Sequence, residues 1–148
     1  MSVWKNFIGN NNFKFTLEGG LAVRMINKTG VNSIKGYIVR LHSNDNSVEH
    51  IPINNPDPMG IIYNAGIPDG GLIWVVISGK ADVYYGGNVT AGTFSRACVT
   101  ADSISAGQAI SEALPTPPFA TDKHFQEIGH PMESRVGAGL ALTNLHFN

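Results

Sequence analysis

Five histidines are the side chains of this sequence best suited to chemistry, because imidazole binds metal ions and transfers protons near neutral pH. His124 and His130 flank Glu127, but their spacing is not the HExxH pattern that places two histidines on one face of a helix. In an extended strand these two histidines would face the same side about 20 Å apart, at roughly 3.3 Å per residue, which is too far to share one ion without a bend. His146 has no ligand-type neighbour in the sequence. We therefore expect no metal site and no cofactor.

Two sets of side chains leave other functions open as alternatives. A metal site built from His42, Glu49 and His50 would require a strand end and the connection after it to meet. An enzyme would require His124, Glu127, His130 or Glu133 to converge. The single cysteine, Cys98, lies in the strand-like run SRACVTA and is predicted to be a small buried side chain. Since the sequence also lacks a GxSxG elbow, a Walker loop and a GxGxxG fingerprint, we expect no enzymatic activity.

The charge content of the chain limits the classes of partner that we expect for it. Charged residues make up only 14% of the sequence, against roughly 25% in an average soluble domain, which suits a surface that meets other protein. A formal net charge of −1 gives no long-range field to recruit nucleic acid or an anionic membrane. The first residues lack a secretory signal, and no apolar run approaches the roughly 20 residues that span a bilayer. We expect folding in a reducing cytoplasm, with neither nucleic acid nor membrane as a partner.

Short runs rich in β-branched and aromatic residues, bounded by Gly, Pro, Asn and Asp, recur along the chain, whereas helix-period apolar stripes are almost absent. This pattern predicts an all-β fold, a compact β-barrel or β-sandwich of short strands. The predicted strands are 21–26, 35–42, 60–63, 72–78, 81–85, 93–99, 108–110, 124–129 and 139–147. LIWVVIS, at 72–78, is apolar on both faces and should be central. Gly79 should then turn it into ADVYY as a hairpin.

One local pattern occurs three times, as VTAGTF at 89–94, ISAGQA at 104–109 and VGAGLA at 136–141. In each, small residues permit a tight turn and the glycine supplies backbone freedom before apolar residues follow. We interpret each as a corner at which the chain enters a sheet again. The spacing is irregular, which excludes a solenoid or propeller period.

Two segments lack the strand pattern, one at the N-terminus and one within the predicted domain. Residues 1–18 combine three consecutive asparagines with aromatic side chains and are predicted to be an N-terminal arm, followed by a single β domain over 19–148. Residues 111–123 carry three prolines and are predicted to leave the sheet as a long loop. The arm would become ordered on a partner; the alternative is that its aromatic side chains cover the domain's own core.

The succession VVISGKADVYYGGNVTAGTFSRACVTADSISAGQAI, then EIGHPMES, then GAGLALTNLHFN resembles small bacteriophage capsid decoration proteins and related virion proteins. The resemblance covers residues 72–148 and is a pattern of turns and strands. It implies a structural protein on the capsid surface of the virion, assembled in the host cytoplasm, which bridges subunits of the major capsid protein as a homo-dimer or homo-trimer. The residues then expected to contact the capsid or a second copy are Trp4, Phe7, Phe13, Pro115, Pro117, Pro118 and Phe119.

A different class of function remains as the alternative, a small-ligand or carbohydrate-binding β-module such as a receptor-binding head or tail component. Trp74, Tyr84 or Tyr85 would supply its aromatic platform. Because neighbouring side chains in a strand alternate, Tyr84 and Tyr85 should face opposite sides, so only one of them can join such a platform.

Overall fold

The computed structural model describes residues 12–114, 116–118 and 124–147, and these residues contain ten β-strands. The strands are β1 (Phe13–Phe15), β2 (Gly20–Asn27), β3 (Ile38–Leu41), β4 (Ser47–His50), β5 (Gly60–Ile62), β6 (Leu72–Tyr85), β7 (Phe94–Ala97), β8 (Ala109–Glu112), β9 (Glu127–Pro131) and β10 (Gly139–Leu145). A 3-10 helix, Thr100–Asp102, follows β7. Within the described ranges, no helix is long and apolar enough to cross a membrane. The predicted all-β fold is confirmed, although β1 and β4 were not among the predicted strands.

Strand pairing closes two rings that share β6. The first ring runs through β6, β2, β4, β3 and β5, and the second through β6, β10, β9, β7 and β8, each returning to β6. Each ring contains one short parallel pairing, β2 with β4 and β6 with β8, while the other pairings around the rings are antiparallel. Ring closure leaves few sheet edges exposed, as in small β-barrels. β1 lies outside both rings and pairs with β2.

β6 is one continuous strand of 14 residues, so the predicted hairpin at Gly79 is wrong. Gly79 does have a positive φ, 81°, but it marks a change of partner strand rather than a turn. Gly79 pairs with Gly20 of β2, and the next residue, Lys80, pairs with Asn144 of β10. A side chain at Gly79 would collide with the carbonyl oxygen of Gly19, so glycine serves both the bend and the close approach. The prediction that the first half of β6 is central is confirmed, because it pairs with β2 and with β5.

The three Ala-Gly corners are confirmed as entries to strands. Each corner leads directly into β7, β8 or β10. The glycines of the corners have positive φ values of 77° at Gly92, 85° at Gly107 and 148° at Gly139. Because all three strands belong to the second ring, the repeated local pattern builds one side of the molecule.

The interior consists of two apolar clusters, and β6 contributes to both. One cluster belongs to the first ring and contains Met25, Val39, Val48, Ile62, Ile73 and Val75. The other joins the two rings and includes Ile38, Ile61, Val76, Tyr85 and Ile128. Consecutive residues such as Ile61 and Ile62 are both fully buried, which shows that both faces of these strands are covered. Each buried isoleucine of this kind stabilises the fold by about 1.5–3 kcal/mol relative to an exposed one.

Candidate functional site

The edge strand β1 carries an exposed apolar surface. Phe13 and Phe15 lie two residues apart on β1 and therefore point to the same side, and Leu17 follows in the turn to β2. Their exposed fractions are 39%, 80% and 98%. Among the described residues, β2 is the strand that pairs with β1, which stands at one end of the strand order. A terminal strand with exposed apolar side chains is typical of a protein contact surface, and we call Phe13, Phe15 and Leu17 the β1 edge.

The predicted contact residues fall into two groups. The structure exposes three of them, which are Phe13, Pro117 and Pro118. The other four lie outside the described residues and stay predictions: Trp4, Phe7, Pro115 and Phe119. Sequence reasoning missed Phe15 and Leu17 as contact candidates, although the alternation in FKF was a usable signal.

Three cations of the chain lie over the rings of Trp74 and Tyr63. Lys14 Nζ is 4.9 Å from the ring centre of Tyr63 and 4.8 Å from that of Trp74. The guanidinium carbon of Arg24 is 5.6 Å from the Trp74 ring, and Lys35 Nζ is 5.5 Å from the Tyr63 ring. Each cation–π contact of this kind contributes about 0.5–1 kcal/mol at an exposed site. The ring of Trp74 is therefore occupied by its own chain, which weakens the case for a carbohydrate platform there.

The two adjacent tyrosines face opposite sides, as predicted. Tyr85 is fully buried, and its hydroxyl lies 2.6 Å from Ser95 Oγ and 2.8 Å from Thr143 Oγ1. Burial raises the pKa of Tyr85, although both hydrogen bonds act in the opposite direction. Tyr84 is half-buried and packs against Tyr37, with ring centres 5.4 Å apart. Tyr85 is thus a core residue, so it is unavailable as a binding platform.

Arg96 on β7 is the buried cation of the second ring. Its guanidinium binds both carboxylate oxygens of Asp102, at 2.7 and 2.9 Å, and lies 3.2 Å from Glu112 Oε2. Asp102 also accepts a hydrogen bond from the backbone N–H of Val99, so it stabilises the turn that begins the 3-10 helix. The hydrogen bonds that Arg96 donates to Asp102 raise the pKa of Arg96 further above its usual range, against the opposing effect of burial. The arrangement joins one guanidinium to two carboxylates and holds β7, β8 and the 3-10 helix together.

Cys98 is buried, as predicted from the sequence. Its exposed fraction is 0%, and its Sγ donates a hydrogen bond to the carbonyl oxygen of Ser105 at 3.3 Å. Burial raises the pKa of the Cys98 thiol, and the negative charge of Asp102 adds to this effect. The thiol therefore stays protonated near neutral pH and is not prepared to act as a nucleophile.

Glu127 on β9 is the centre of a histidine cluster. Its carboxylate lies 3.6 Å from His130 Nε2, 3.4 Å from His146 Nδ1 and 3.9 Å from His124 Nδ1. The distance argument made from the sequence is therefore wrong, because His124 precedes the strand and both flanking imidazoles approach the same carboxylate. His146 was missed as a neighbour because the pairing of β9 with β10, not sequence proximity, brings it there.

The remaining candidate side chains do not join a common site. Glu49 binds Arg40, with oxygen-to-nitrogen distances of 2.8 and 2.9 Å. His42 Nδ1 accepts a hydrogen bond from the backbone of Asn44, and His50 packs against an aromatic ring instead. Glu133 accepts a hydrogen bond from the backbone N–H of Leu142, away from the histidine cluster. Within the described residues, these contacts hold His42, Glu49 and His50 apart from a common metal site.

Comparison with known proteins bears on the fold. No protein-family model matches the chain, and no curated protein matches its sequence. The chain is similar to a solved structure described as the head fiber gp8.5 N base in bacteriophage phi29, with 16% sequence identity and a TM-score of 0.56. The similarity covers 84% of this chain and 92% of that chain. It extends over nearly the whole of both chains, and it shows that this all-β fold is shared with a phage head fiber base.

Proposed function

We propose that the chain is a structural protein of a bacteriophage virion that binds the outside of the capsid and stabilises it by bridging subunits of the major capsid protein. The proposed protein is a homo-dimer or homo-trimer without enzymatic activity, and neither nucleic acid nor membrane is among its partners. The observation that carries this proposal is the fold similarity to the phage head fiber base over 84% of this chain and 92% of that chain.

The β1 edge supports a function in protein contact. Phe15 and Leu17 are 80% and 98% exposed, which leaves apolar surface in water that a partner would remove. Aromatic side chains are enriched in the centres of protein interfaces, where charged residues are depleted. The low charge content of the chain, 14%, agrees with such a surface.

Because a capsid lattice repeats the same binding position many times, contacts of modest affinity are sufficient for stable binding. When several subunits of one oligomer bind to a fixed lattice, the second binding event is intramolecular and avidity exceeds the affinity of each contact. A surface the size of the β1 edge therefore suits a protein present in many copies, with Pro117 and Pro118 of the exposed loop as a second contact.

The test combines the oligomeric state with capsid binding. Light scattering after size-exclusion chromatography should give a dimer or trimer, and the protein should co-sediment saturably with expanded capsids of its phage. The double variant Phe15→Ser/Leu17→Ser should bind capsids about tenfold more weakly or worse, because removing a buried apolar anchor at an interface costs more than about 1 kcal/mol.

The matched control is Leu41→Ser, which changes an apolar side chain of β3 that is 62% exposed and separated from β1 by β2 and β4. This variant should bind capsids as the unchanged protein does. A monomer that does not co-sediment with capsids would contradict the proposal. If both variants bind like the unchanged protein, the contact surface lies elsewhere and the assignment of the β1 edge is wrong.

A further inference from the structure

The histidine cluster around Glu127 has the composition and spacing of a metal site. Glu127 and His130 lie on β9, and His146 follows β10, where its backbone N–H donates to the carbonyl oxygen of Ile128 at 2.7 Å. The nearest ligand atoms of these three side chains all lie within 4.8 Å of one another. We propose that Glu127, His130 and His146 bind one divalent transition-metal ion of the zinc class.

The distances fit a tetrahedral ion. Ligand atoms about 2.05 Å from a tetrahedral zinc lie about 3.3 Å from one another. The carboxylate oxygen Oε1 of Glu127 is 3.6 Å from His130 Nε2 and 3.4 Å from His146 Nδ1. The third distance, between the two imidazole nitrogens, is at most 4.8 Å, so the imidazoles must approach each other by up to about 1.5 Å to reach this spacing. Two imidazoles and one carboxylate also select zinc-class ions over calcium and magnesium, which prefer oxygen ligands throughout.

The hydrogen bond of His130 prepares its other ring nitrogen for a cation. His130 Nδ1 lies 2.8 Å from the carbonyl oxygen of Thr93, and a carbonyl only accepts, so Nδ1 carries the hydrogen. Its Nε2, which lies 3.6 Å from Glu127 Oε1, is then the ring nitrogen that can offer a lone pair to an ion. A backbone carbonyl that orients a ligating histidine in this way is a regular feature of metal sites.

The cluster is open to solvent on one side. The side chain of Glu127 is 8% exposed, whereas those of His130 and His146 are 40% and 59% exposed. The carboxylate forms the floor and the imidazoles form the rim, so an ion can enter from water. His124 Nδ1 lies 3.9 Å from the second carboxylate oxygen of Glu127, outside this group of three ligands.

A bound ion would cross-link parts of the chain that are distant in sequence. His146 is 16 residues beyond His130 in the sequence, and His130 is in turn fixed to the corner before β7 through the carbonyl of Thr93. Binding of an ion by the folded state alone raises the stability of that state. The ion would therefore stabilise the closed second ring, and this role does not depend on capsid binding.

The test is zinc binding by the full chain in a buffer that does not chelate metals. Isothermal titration with zinc chloride should give one ion per chain, and zinc should raise the melting temperature. His146→Ala and Glu127→Gln should each weaken zinc binding at least about tenfold and abolish the thermal shift. His42→Ala, which removes a histidine outside the cluster, should leave both unchanged. Cobalt added in place of zinc should give the visible absorption of a tetrahedral site.

Equal zinc binding by the unchanged protein and His146→Ala would overturn the proposal, and so would the absence of a zinc-induced thermal shift. In either case the imidazoles serve only as ion-pair partners of Glu127. Since the side chain of His146 is 59% exposed, its replacement should leave the fold intact, which circular dichroism checks. His146→Ala therefore keeps the test valid even if Glu127→Gln is unstable.

Discussion

Acidic side chains of the second ring contact two different kinds of basic side chain. Asp102 and Glu112, with side chains 11% and 24% exposed, share the guanidinium of Arg96, which keeps its charge across the physiological pH range. Glu127, with a side chain 8% exposed, faces three imidazoles. The guanidinium of the first group has no lone pair to offer an ion, so that group is structural. The second group combines imidazole nitrogens with a carboxylate and therefore has the properties of a metal-ligand site.

Replacing Arg96 with methionine should disrupt the ion group of Arg96, Asp102 and Glu112, and of the changes considered it should lower the unfolding free energy most. The change leaves Asp102 and Glu112 close together in a largely buried place without the cation that both contact. Breaking a buried ion group by removing one partner costs about 3–5 kcal/mol. Urea unfolding followed by circular dichroism should show this loss of unfolding free energy for Arg96→Met.

Arg40→Met provides the matched control for this prediction. Arg40 pairs with Glu49 at 2.8 Å, but their side chains are 31% and 29% exposed. Solvent screens such a pair, so its loss should cost no more than about 1 kcal/mol. Equal losses for the two arginine variants would show that burial does not separate the two kinds of ion group.

Tyr85→Phe should have an intermediate effect, because it removes a buried group that is polar but uncharged. The hydroxyl of Tyr85 joins Ser95 to Thr143, and each of the two loses a partner when it is removed. Leaving buried polar groups unsatisfied costs about 1–3 kcal/mol. The loss of unfolding free energy for Tyr85→Phe, measured by urea unfolding, should lie between the losses for Arg96→Met and Arg40→Met. Tyr84→Phe, at the half-buried neighbouring position, should be close to neutral, and a loss as large as that of Tyr85→Phe would contradict this explanation.

The local chemistry of the fold could be predicted from the sequence. The Ala-Gly corners before β7, β8 and β10 were visible because glycine and small residues act within a few positions of the chain. The apolar run of β6 likewise indicated a strand buried on both faces. The hairpin at Gly79 was a wrong prediction because a positive φ serves a turn and a bent strand equally well. What decides between them is the pairing of Lys80 with Asn144, a residue far along the chain.

The candidate site was harder to predict from the sequence, because its residues also meet through the pairing of strands that are distant along the chain. His124, Glu127 and His130 were named from their proximity in sequence, but the strand geometry assumed for them placed the two histidines too far apart. His146 reaches Glu127 only through the register of β9 and β10, in which Asn144 pairs with His130. Such cross-strand neighbours carry no short-range signal. The closure of both rings depends on similar long-range pairings, so it could not be predicted from local patterns either.

The smallest expected effect concerns His50, a histidine outside the Glu127 cluster. Its ring packs against Tyr37 with ring centres 5.0 Å apart, and within the described part of the chain its Nε2 has no hydrogen-bond partner. Burial lowers the pKa of His50, so the folded state holds this imidazole neutral while the unfolded state still binds a proton. The unfolded state therefore binds more protons below about pH 6.5, and stability falls as the pH drops through that value.

His50→Gln should reduce this acid sensitivity. The unfolding free energy of the variant should depend less on pH between about 7.5 and 5.5 than that of the unchanged protein, as measured by urea unfolding at each pH. The histidines around Glu127 are present in both proteins, so the difference between the two slopes isolates the contribution of His50. Equal slopes would mean that the acid sensitivity arises elsewhere, and the Glu127 cluster would become the first place to look for it. His50 then adds a third case to the comparison of the acidic groups: an imidazole whose burial favours its neutral form.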